Sequence, residues 1–337
     1  MIKMMHKAAV LASLMFTSVS SFADYSNLFV FGDSLSDTGN LKAVTQDPNI
    51  PTRFTNGPVA VEVIANALGL SLSNSYHLLG GALPYGNNFA IAGAKAVDDD
   101  GNEATPDINL PTQVNAFLQI HGGVAPNDAL YIVLIGGNDI RAARSIRAAG
   151  INADSPSARK QAREAADASL QKAVDSERAQ VMKLIGAGAR DILVVNAPDI
   201  GAIPETDLVA AQVLAAASNK KEQRQAGRLD EITSKLSSRY NQKLARRIGQ
   251  LERQTGVPII NYDLYAFLNE QIDMAEDFGY TNTSDACIFV FSQGGAVNPA
   301  CTDFPTASGF IFWDEIHPTT RVHQSAGIDI VETLLGE

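Results

Sequence analysis

Short apolar runs recur along the chain and alternate with longer segments of helical composition, and this alternation constrains the fold more than any other feature. Five runs have the length and composition of buried strands, at residues 27–31, 88–92, 129–135, 191–196 and 257–261. Three segments rich in Ala, Leu, Lys, Arg and Glu predict helices, each with a glycine just beyond its end, at residues 59–68, 157–185 and 228–254. Such alternation predicts an α/β fold with a parallel sheet covered on both faces.

Ser34 stands where a reactive group is expected in such a fold, just after the first apolar run. Parallel sheets gather their reactive groups at the carboxyl ends of the strands, and Gly32 supplies a tight turn that would place the Ser34 hydroxyl there. The segment is not a Gly-x-Ser-x-Gly elbow, because Ser36 occupies the last glycine position, which disfavours an α/β-hydrolase fold. Residues 32–40 alone are also compatible with a capped turn between a strand and a helix.

A seryl hydroxyl becomes a good nucleophile when a base takes its proton and a carboxylate fixes the tautomer of that base. His317 is the candidate base, because Asp314 precedes it by three residues and Pro318 prevents a helix from continuing through it. The spacing allows the carboxylate to reach one ring nitrogen while the other points toward a nucleophile. We expect surface or capping roles for three further histidines, His77, His121 and His323.

Acyl transfer also needs hydrogen-bond donors for the oxyanion, and two further loops after strands offer them. Gly93 follows the second apolar run and could present a bare backbone amide. Asn138 follows the third run and carries a side-chain amide. Each residue has an alternative role, Gly93 as an ordinary turn residue and Asn138 as the N-cap of a helix that starts near Ile140.

Residues 1–23 have the features of a secretory signal peptide. Two lysines stand beside an apolar run at residues 8–16 that is too short to span a bilayer. Small residues Ser21 and Ala23 occupy the positions expected before a cleavage site at Asp24. We therefore expect export to the periplasm or beyond.

The mature chain, residues 24–337, is predicted to form a single domain without a transmembrane segment. Without the two lysines of the signal segment, 24 basic residues remain against 37 acidic ones, a net charge of −13. Nucleic acid is therefore not expected as a partner. Cys287 and Cys301 are predicted to form a disulfide in an oxidising compartment, worth about 3 kcal/mol in the chain-entropy model.

An acidic segment at residues 98–103 does not have the spacing of a calcium loop. Ala96 stands where the first ligand should be, and no glutamate falls at the last ligand position. We interpret the segment as a solvated turn and expect neither a metal nor a cofactor.

Together these residues resemble the conserved blocks of the GDSL esterase/lipase family, part of the SGNH hydrolase superfamily. The matching blocks are residues 31–40 with Ser34, the loop with Gly93, residues 136–139 with Asn138, and residues 314–318 with Asp314 and His317. Residues 53–57 and 191–201 further resemble the larger members, the plant lipases and the bacterial phospholipase, acyltransferase and haemolysin branch. Ala92 departs from the pattern, since many members have a second glycine there.

The resemblance implies a three-layer α/β/α, flavodoxin-like fold with a five-stranded parallel sheet. It implies that Ser34 is the nucleophile, that His317 is the base and that Asp314 orients His317. The oxyanion donors would be the amides of Ser34 and Gly93 and the side chain of Asn138. The same resemblance assigns structural roles to three other aspartates, Asp33, Asp37 and Asp139.

The predicted activity is that of a monomeric, exported carboxylic-ester hydrolase acting on lipid esters such as lysophospholipids, with transfer of the acyl group to an alcohol as a variant. Small soluble esters, such as choline esters, short-chain aryl esters or acetylated sugars, are an alternative, because the loops at residues 262–311 carry no motif. A catalytically silent binding domain is disfavoured by the intact set of site residues. We also hypothesise that the predicted disulfide fixes the segment that positions Asp314 and His317.

Overall fold

The computed structural model describes residues 25–80, 85–98, 101 and 107–336, so the predicted signal peptide and most of the acidic segment lie outside the described residues. In chain order the elements are β1 (Leu28–Gly32), α1 (Asn40–Thr45), α2 (Ala60–Ala67), α3 (Leu110–Ile120), β2 (Leu130–Leu134), α4 (Gly137–Ile151), α5 (Pro156–Ala187), β3 (Asp191–Val195), α6 (Pro204–Ala215), α7 (Lys220–Ala226), α8 (Leu229–Thr255), β4 (Ile259–Tyr262), α9 (Leu264–Asp273), β5 (Asn282–Ala286), β6 (Ile288–Phe289), α10 (Val290–Gln293), β7 (Ala296–Val297), β8 (Phe310–Phe312) and α11 (Thr320–Leu335).

A parallel sheet of four strands in the order β1-β2-β3-β4 forms the centre of the molecule. Phe31 lies opposite Val133, which in turn lies opposite Val194, so apolar side chains continue across the sheet. Every residue of β1 and β2 is buried, because helices cover both faces. Four of the five predicted strands are thereby confirmed.

The fifth predicted strand, residues 88–92, is not confirmed as a regular strand. This segment lies beside β1, where the Val30 N–H donates to Asn87 O at 3.0 Å, but a single bridge joins Val30 to Asn88. Two backbone bonds to β1 follow, from the Phe89 N–H to Val30 O at 2.8 Å and from the Ile91 N–H to Gly32 O at 3.1 Å. The Gly32 N–H, however, donates to the Gln113 side chain at 2.8 Å instead of to this segment. A side chain that takes a backbone partner in this way competes with sheet formation.

Helices pack in two layers, which confirms the predicted three-layer α/β/α architecture. On one face α2 packs against α11, and on the other α4 and α5 pack together with α8. The predicted helices correspond to α2, α5 and α8, with ends shifted by one or two residues. From β1 the chain passes to residues 87–91 at one edge and then back across β1 to β2. The sheet order therefore reverses at β1, which is where open α/β sheets bind ligands.

Residues 282–312 add two small sheets beside the main one. Strand β5 pairs with β8, and β6 pairs with β7 in a hairpin. The predicted disulfide between Cys287 and Cys301 is present, with Cα atoms 5.2 Å apart, and it closes this segment. From β8 the chain enters residues 313–319 and then α11. Within the described residues, no helix is both long and apolar enough to cross a membrane.

Candidate active site

Ser34 lies in the turn that immediately follows β1. The Asp33 carboxylate accepts the Leu35 N–H at 3.0 Å, and the Asp33 carbonyl accepts the Ser36 N–H at 3.1 Å. A side chain at Gly32 would place its Cβ 2.3 Å from Leu134 O, so only glycine fits at the end of this strand. The turn therefore holds Ser34 at the carboxyl edge of the sheet, as the sequence predicts.

Asp314 and His317 share a tight turn between β8 and α11. Asp314 Oδ1 accepts the backbone N–H groups of Ile316 and His317, both at 2.8 Å. The Trp313 N–H donates to His317 O at 2.8 Å and closes the turn. These bonds place the carboxylate beside the imidazole, where His317 Nδ1 lies 2.8 Å from Asp314 Oδ2.

The fold brings Ser34 within hydrogen-bond reach of His317 although 283 residues separate them. His317 Nε2 lies 2.8 Å from Ser34 Oγ. An ionised carboxylate accepts hydrogen bonds only, so Asp314 places the ring proton on Nδ1 and leaves Nε2 to accept the Ser34 hydroxyl proton. All three residues are nearly withdrawn from solvent, with Ser34 9% and the other two 4% exposed. This line of hydrogen bonds has the order required for proton transfer from serine to histidine.

Gly93 is held between two anchored neighbours. The Ala92 N–H donates to Asp37 Oδ2 at 2.8 Å, and Ala94 O accepts from Asn138 Nδ2 at 2.9 Å. Gly93 itself has φ +86°, a conformation that favours glycine. Among the described residues, the backbone N–H groups of Ser34 and Gly93 donate to no protein acceptor. Backbone amides without a protein partner are free to donate to an oxyanion.

Asn138 lies inside the first turn of α4 and lines the same cleft as Ser34. The helix starts at Gly137 with Gly136 as N-cap, so the alternative role of Asn138 as an N-cap is wrong. Gly136 has φ +111°, and a Cβ there would lie 2.6 Å from the Tyr240 hydroxyl. This close contact requires glycine and fixes where the helix that carries Asn138 begins.

A buried carboxyl cluster, comprising Asp33, Asp139 and Glu177, lies behind the site. Burial raises the pKa of Asp33 to about 6, that of Asp139 to about 7 and that of Glu177 to about 8. Asp139 accepts the Ala96 N–H at 2.8 Å, and Glu177 accepts the Tyr240 hydroxyl at 2.5 Å. Asp33 and Asp139 thus hold the loops around the site, in agreement with the structural roles that the resemblance implies.

Glu315 was not identified from the sequence, although it lies between Asp314 and His317. The residue is 1% exposed, and its carboxylate accepts the N–H groups at the start of α10, with Val290 and Ser292 both at 2.8 Å. Glu315 therefore ties the disulfide-closed segment to the turn of the catalytic candidates. Glutamate next to an Asp-x-x-His pair carries no signal by itself, because its partners are more than twenty residues away.

Arg141 was also not identified, although it follows Asn138 at the three-residue spacing of one helix face. Arg141 Nη1 donates to Asn138 Oδ1 at 2.9 Å, and its Nε donates to Glu205 at 2.8 Å. Glu205 also accepts from Arg144 at 2.6 Å. The helix spacing could have suggested the first contact, whereas Glu205 becomes a neighbour only through the fold.

An apolar cleft of about 800 Å³, its open mouth included, leads to Ser34 and His317. Its walls come from the carboxyl ends of the strands and from α9 and α11, with Leu35, Ile200, Leu268, Phe312, Ile316 and Ile330 among the lining side chains. Phe54 packs against the His317 ring at 5.4 Å between centroids. The surroundings of the serine are therefore mainly apolar.

The remaining histidines have roles other than that of the base. His323 is buried, and its Nδ1 accepts the Ala60 N–H at 3.3 Å at the start of α2. Burial, and then the neighbouring His317, lower the pKa of His323 to about 3, so it stays neutral. His77 lies 2.7 Å from the Ser75 hydroxyl, and His121 packs on Phe117.

The fold and the hydrogen-bonded serine, histidine and aspartate together have the architecture of a serine hydrolase. The family model described as GDSL-like lipase/acylhydrolase matches residues 28–330. The chain therefore belongs to this family.

Three relatives are similar in sequence to nearly all of this chain. Lipase 1 of Photorhabdus luminescens is 28% identical over 92% of this chain but 50% of its own length. A GDSL esterase/lipase of Arabidopsis thaliana is 27% identical and covers 87% of this chain and 89% of its own. The phosphatidylcholine-sterol acyltransferase of Aeromonas hydrophila is 27% identical, with 93% and 91% covered. The chain thus spans half of the first relative and most of the other two.

Proposed function

We propose that this chain is an exported hydrolase that cleaves lipid esters through an acyl-enzyme on Ser34. The observation that carries the proposal is the 2.8 Å contact between Ser34 Oγ and His317 Nε2 beside an apolar cleft. The base and the nucleophile are in reach before substrate binds, and the carboxylate already sets the tautomer that the reaction needs.

In the acylation step, Ser34 Oγ attacks the ester carbonyl while His317 Nε2 takes the hydroxyl proton. Asp314 stabilises the imidazolium, and the oxyanion accepts hydrogen bonds from the amides of Ser34 and Gly93 and from the Asn138 side chain. The bond to the alcohol breaks as His317 returns its proton to the leaving oxygen. A water molecule then attacks the acyl carbon while His317 takes its proton, and the bond to Ser34 Oγ breaks as His317 returns that proton to the serine. An alcohol in place of water would receive the acyl group.

Lipid esters suit the surroundings of Ser34 better than small polar esters. The cleft is apolar, and exposed apolar side chains of the disulfide-closed segment lie near the catalytic turn, including Phe291 (56% exposed) and Phe304 (48% exposed). Relatives named as a lipase and as a phosphatidylcholine-sterol acyltransferase agree with this choice. The acidic surface would repel anionic headgroups, which favours contact through apolar groups.

We further propose that the mature chain begins near Asp24, forms one domain and works as an exported monomer. The signal-like residues 1–23 support export. So does the disulfide, since such bonds persist in oxidising compartments.

A fluorophosphonate label tests the nucleophile. We expect it to attach to the wild-type protein and to Ser36→Ala, but not to Ser34→Ala. Ser36 is a matched control because it is two residues away and its buried hydroxyl has no hydrogen-bond partner among the described residues. Equal labelling of Ser34→Ala would reject the proposed mechanism.

A substrate panel tests the lipid preference. We expect kcat/KM for p-nitrophenyl esters to rise from acetate toward longer chains, and lysophosphatidylcholine to be cleaved in preference to acetylthiocholine. An apolar pocket gains roughly 1–3 kcal/mol from a methylene group that it can hold. A maximum at acetate or acetylthiocholine would contradict the lipid preference and leave a hydrolase of small esters.

A further inference from the structure

Arg141 links the oxyanion candidate to the turn that carries the base. Its Nη1 donates to Asn138 Oδ1 at 2.9 Å, while Nε and Nη2 grip the two oxygens of Glu205 at 2.8 and 2.5 Å. The Glu205 N–H donates to the carbonyl of Glu315 at 2.7 Å, inside the Asp314–His317 turn. One continuous hydrogen-bonded path therefore joins the two sides of the cleft.

The chemistry of a guanidinium determines which way the Asn138 amide faces. Arginine has five N–H donors and no acceptor, so the Asn138 atom that it contacts must be the carbonyl oxygen. The amide nitrogen is thereby turned away, toward Ala94 O, which accepts one of its two protons at 2.9 Å. The second proton has no acceptor among the described residues, and Asn138 lines the cleft, so this proton can be donated to a substrate. Ala94 O can only accept, so it favours the same orientation, and Arg141 and Ala94 fix the amide from its two ends.

Arg141 itself is held in place from the other side. Glu205 is a bidentate partner for Arg141 and also binds Arg144, whose guanidinium donates to the Thr206 hydroxyl at 2.7 Å. The Arg144 residue is 2% exposed, so this anchor is part of the core. All three nitrogens of the Arg141 guanidinium contact Asn138 or Glu205. A bidentate grip of Arg141 on a substrate is therefore disfavoured, because its paired donors are already engaged by Glu205.

We propose that Arg141 is a positioning residue that fixes the Asn138 amide as an oxyanion donor, with Glu205 holding Arg141 to the catalytic turn. This inference rests on the proposed function, because it assigns Asn138 a role in the acyl-transfer step. An oxyanion donor acts mainly when charge develops in the transition state, so a misplaced Asn138 lowers kcat and leaves KM nearly unchanged.

A double-mutant cycle tests the proposal. The kcat for p-nitrophenyl butyrate, dissolved as single molecules, is measured for the wild type, Asn138→Ala, Arg141→Gln and the double variant. We expect Asn138→Ala to lower kcat by about a hundredfold, the usual effect of removing one oxyanion donor. Arg141→Gln should lower kcat by about tenfold, within the usual range for coupled neighbours, and the double variant should resemble Asn138→Ala alone. Arg247→Gln, which loses an exposed ion pair to Asp175 remote from the cleft, should leave kcat unchanged.

Multiplicative losses in the double variant would overturn the proposal, since Arg141 would then act independently of Asn138. A rise in KM without a fall in kcat would also overturn it and indicate substrate binding. If Arg141→Gln does not fold, Arg141→Lys serves in the same cycle, because an ammonium cannot grip Glu205 and Asn138 with the same planar fork. Unchanged turnover in Asn138→Ala would also overturn the proposal, because Arg141 would then have no oxyanion donor to position. The proposed function fails separately, only if Ser34→Ala retains turnover and labelling.

Discussion

Replacing Glu177 by glutamine should change how the stability of the protein depends on pH. Glu177 is fully buried in α5, accepts the Tyr240 hydroxyl at 2.5 Å, and has a second oxygen without a hydrogen-bond partner among the described residues. Burial raises its pKa to about 8, with the nearby Asp139 acting in the same direction. Tyr240 in turn packs against Gly136, where the helix that carries Asn138 begins.

The sign and size of the effect follow from proton linkage. A carboxyl with a raised pKa keeps its proton in the folded state, so its contribution to stability is fully present below the unfolded pKa, near 4.5, and is lost as pH rises toward 8. One proton gives about 1.4 kcal/mol per pH unit, so the wild type loses roughly 4 kcal/mol through Glu177 between pH 5 and pH 8. Glutamine has no proton to lose and keeps the shape of the neutral acid.

Urea unfolding at pH 5, 7 and 9 measures this difference. We expect Glu177→Gln to match the wild type within about 1 kcal/mol at pH 5 and to exceed it by several kcal/mol at pH 9. Glu164→Gln, an exposed change on the same helix, should follow the wild-type curve at every pH. Parallel curves for Glu177→Gln and the wild type, or a less stable variant at pH 9, would refute the reasoning.

Three further changes test the contacts around the site. Gly93→Ala should fold, since its Cβ meets only Ile108 at 3.6 Å, but φ +86° disfavours alanine, and a shifted amide should lower kcat by roughly tenfold or more. Glu315→Gln should lower the free energy of unfolding by about 2–3 kcal/mol in urea, because a charged acceptor of several N–H groups is lost. Replacing both Cys287 and Cys301 by serine should cost about 3 kcal/mol of stability. Unchanged ester turnover in that variant, or after reduction, would reject a positioning role for the disulfide.

Much of the fold could be predicted because its strands and long helices are locally coded. Strands β1 to β4 are near-continuous apolar runs, the pattern of strands buried on both faces. The segment at residues 88–92 has the same pattern yet forms no regular strand, because the Gln113 side chain takes the Gly32 N–H of β1 that would continue the ladder. Apolar composition indicates burial, and it does not show which polar side chain will compete for a backbone N–H.

In the candidate site too, some features are set by neighbours in the sequence and others only by the fold. The turns that present Ser34 and His317 depend on aspartates one to three residues away, so their local geometry is set by short-range hydrogen bonds. Arg141 and Glu205 are 64 residues apart and Glu177 and Tyr240 are 63 apart, and nothing in the intervening sequence marks them as partners. Such pairs arise only when helices pack.

By itself, the sequence determined the strand-turn that carries Ser34, the Asp314–His317 turn and the alternating α/β pattern, because each depends on neighbours within a few residues. Only the tertiary structure decided that Ser34 Oγ and His317 Nε2 lie 2.8 Å apart, that Arg141 orients Asn138, and that three acidic groups share the space behind the site. Those features depend on how the parallel strands place their carboxyl ends at one edge and on which side chains lose water when helices cover the sheet.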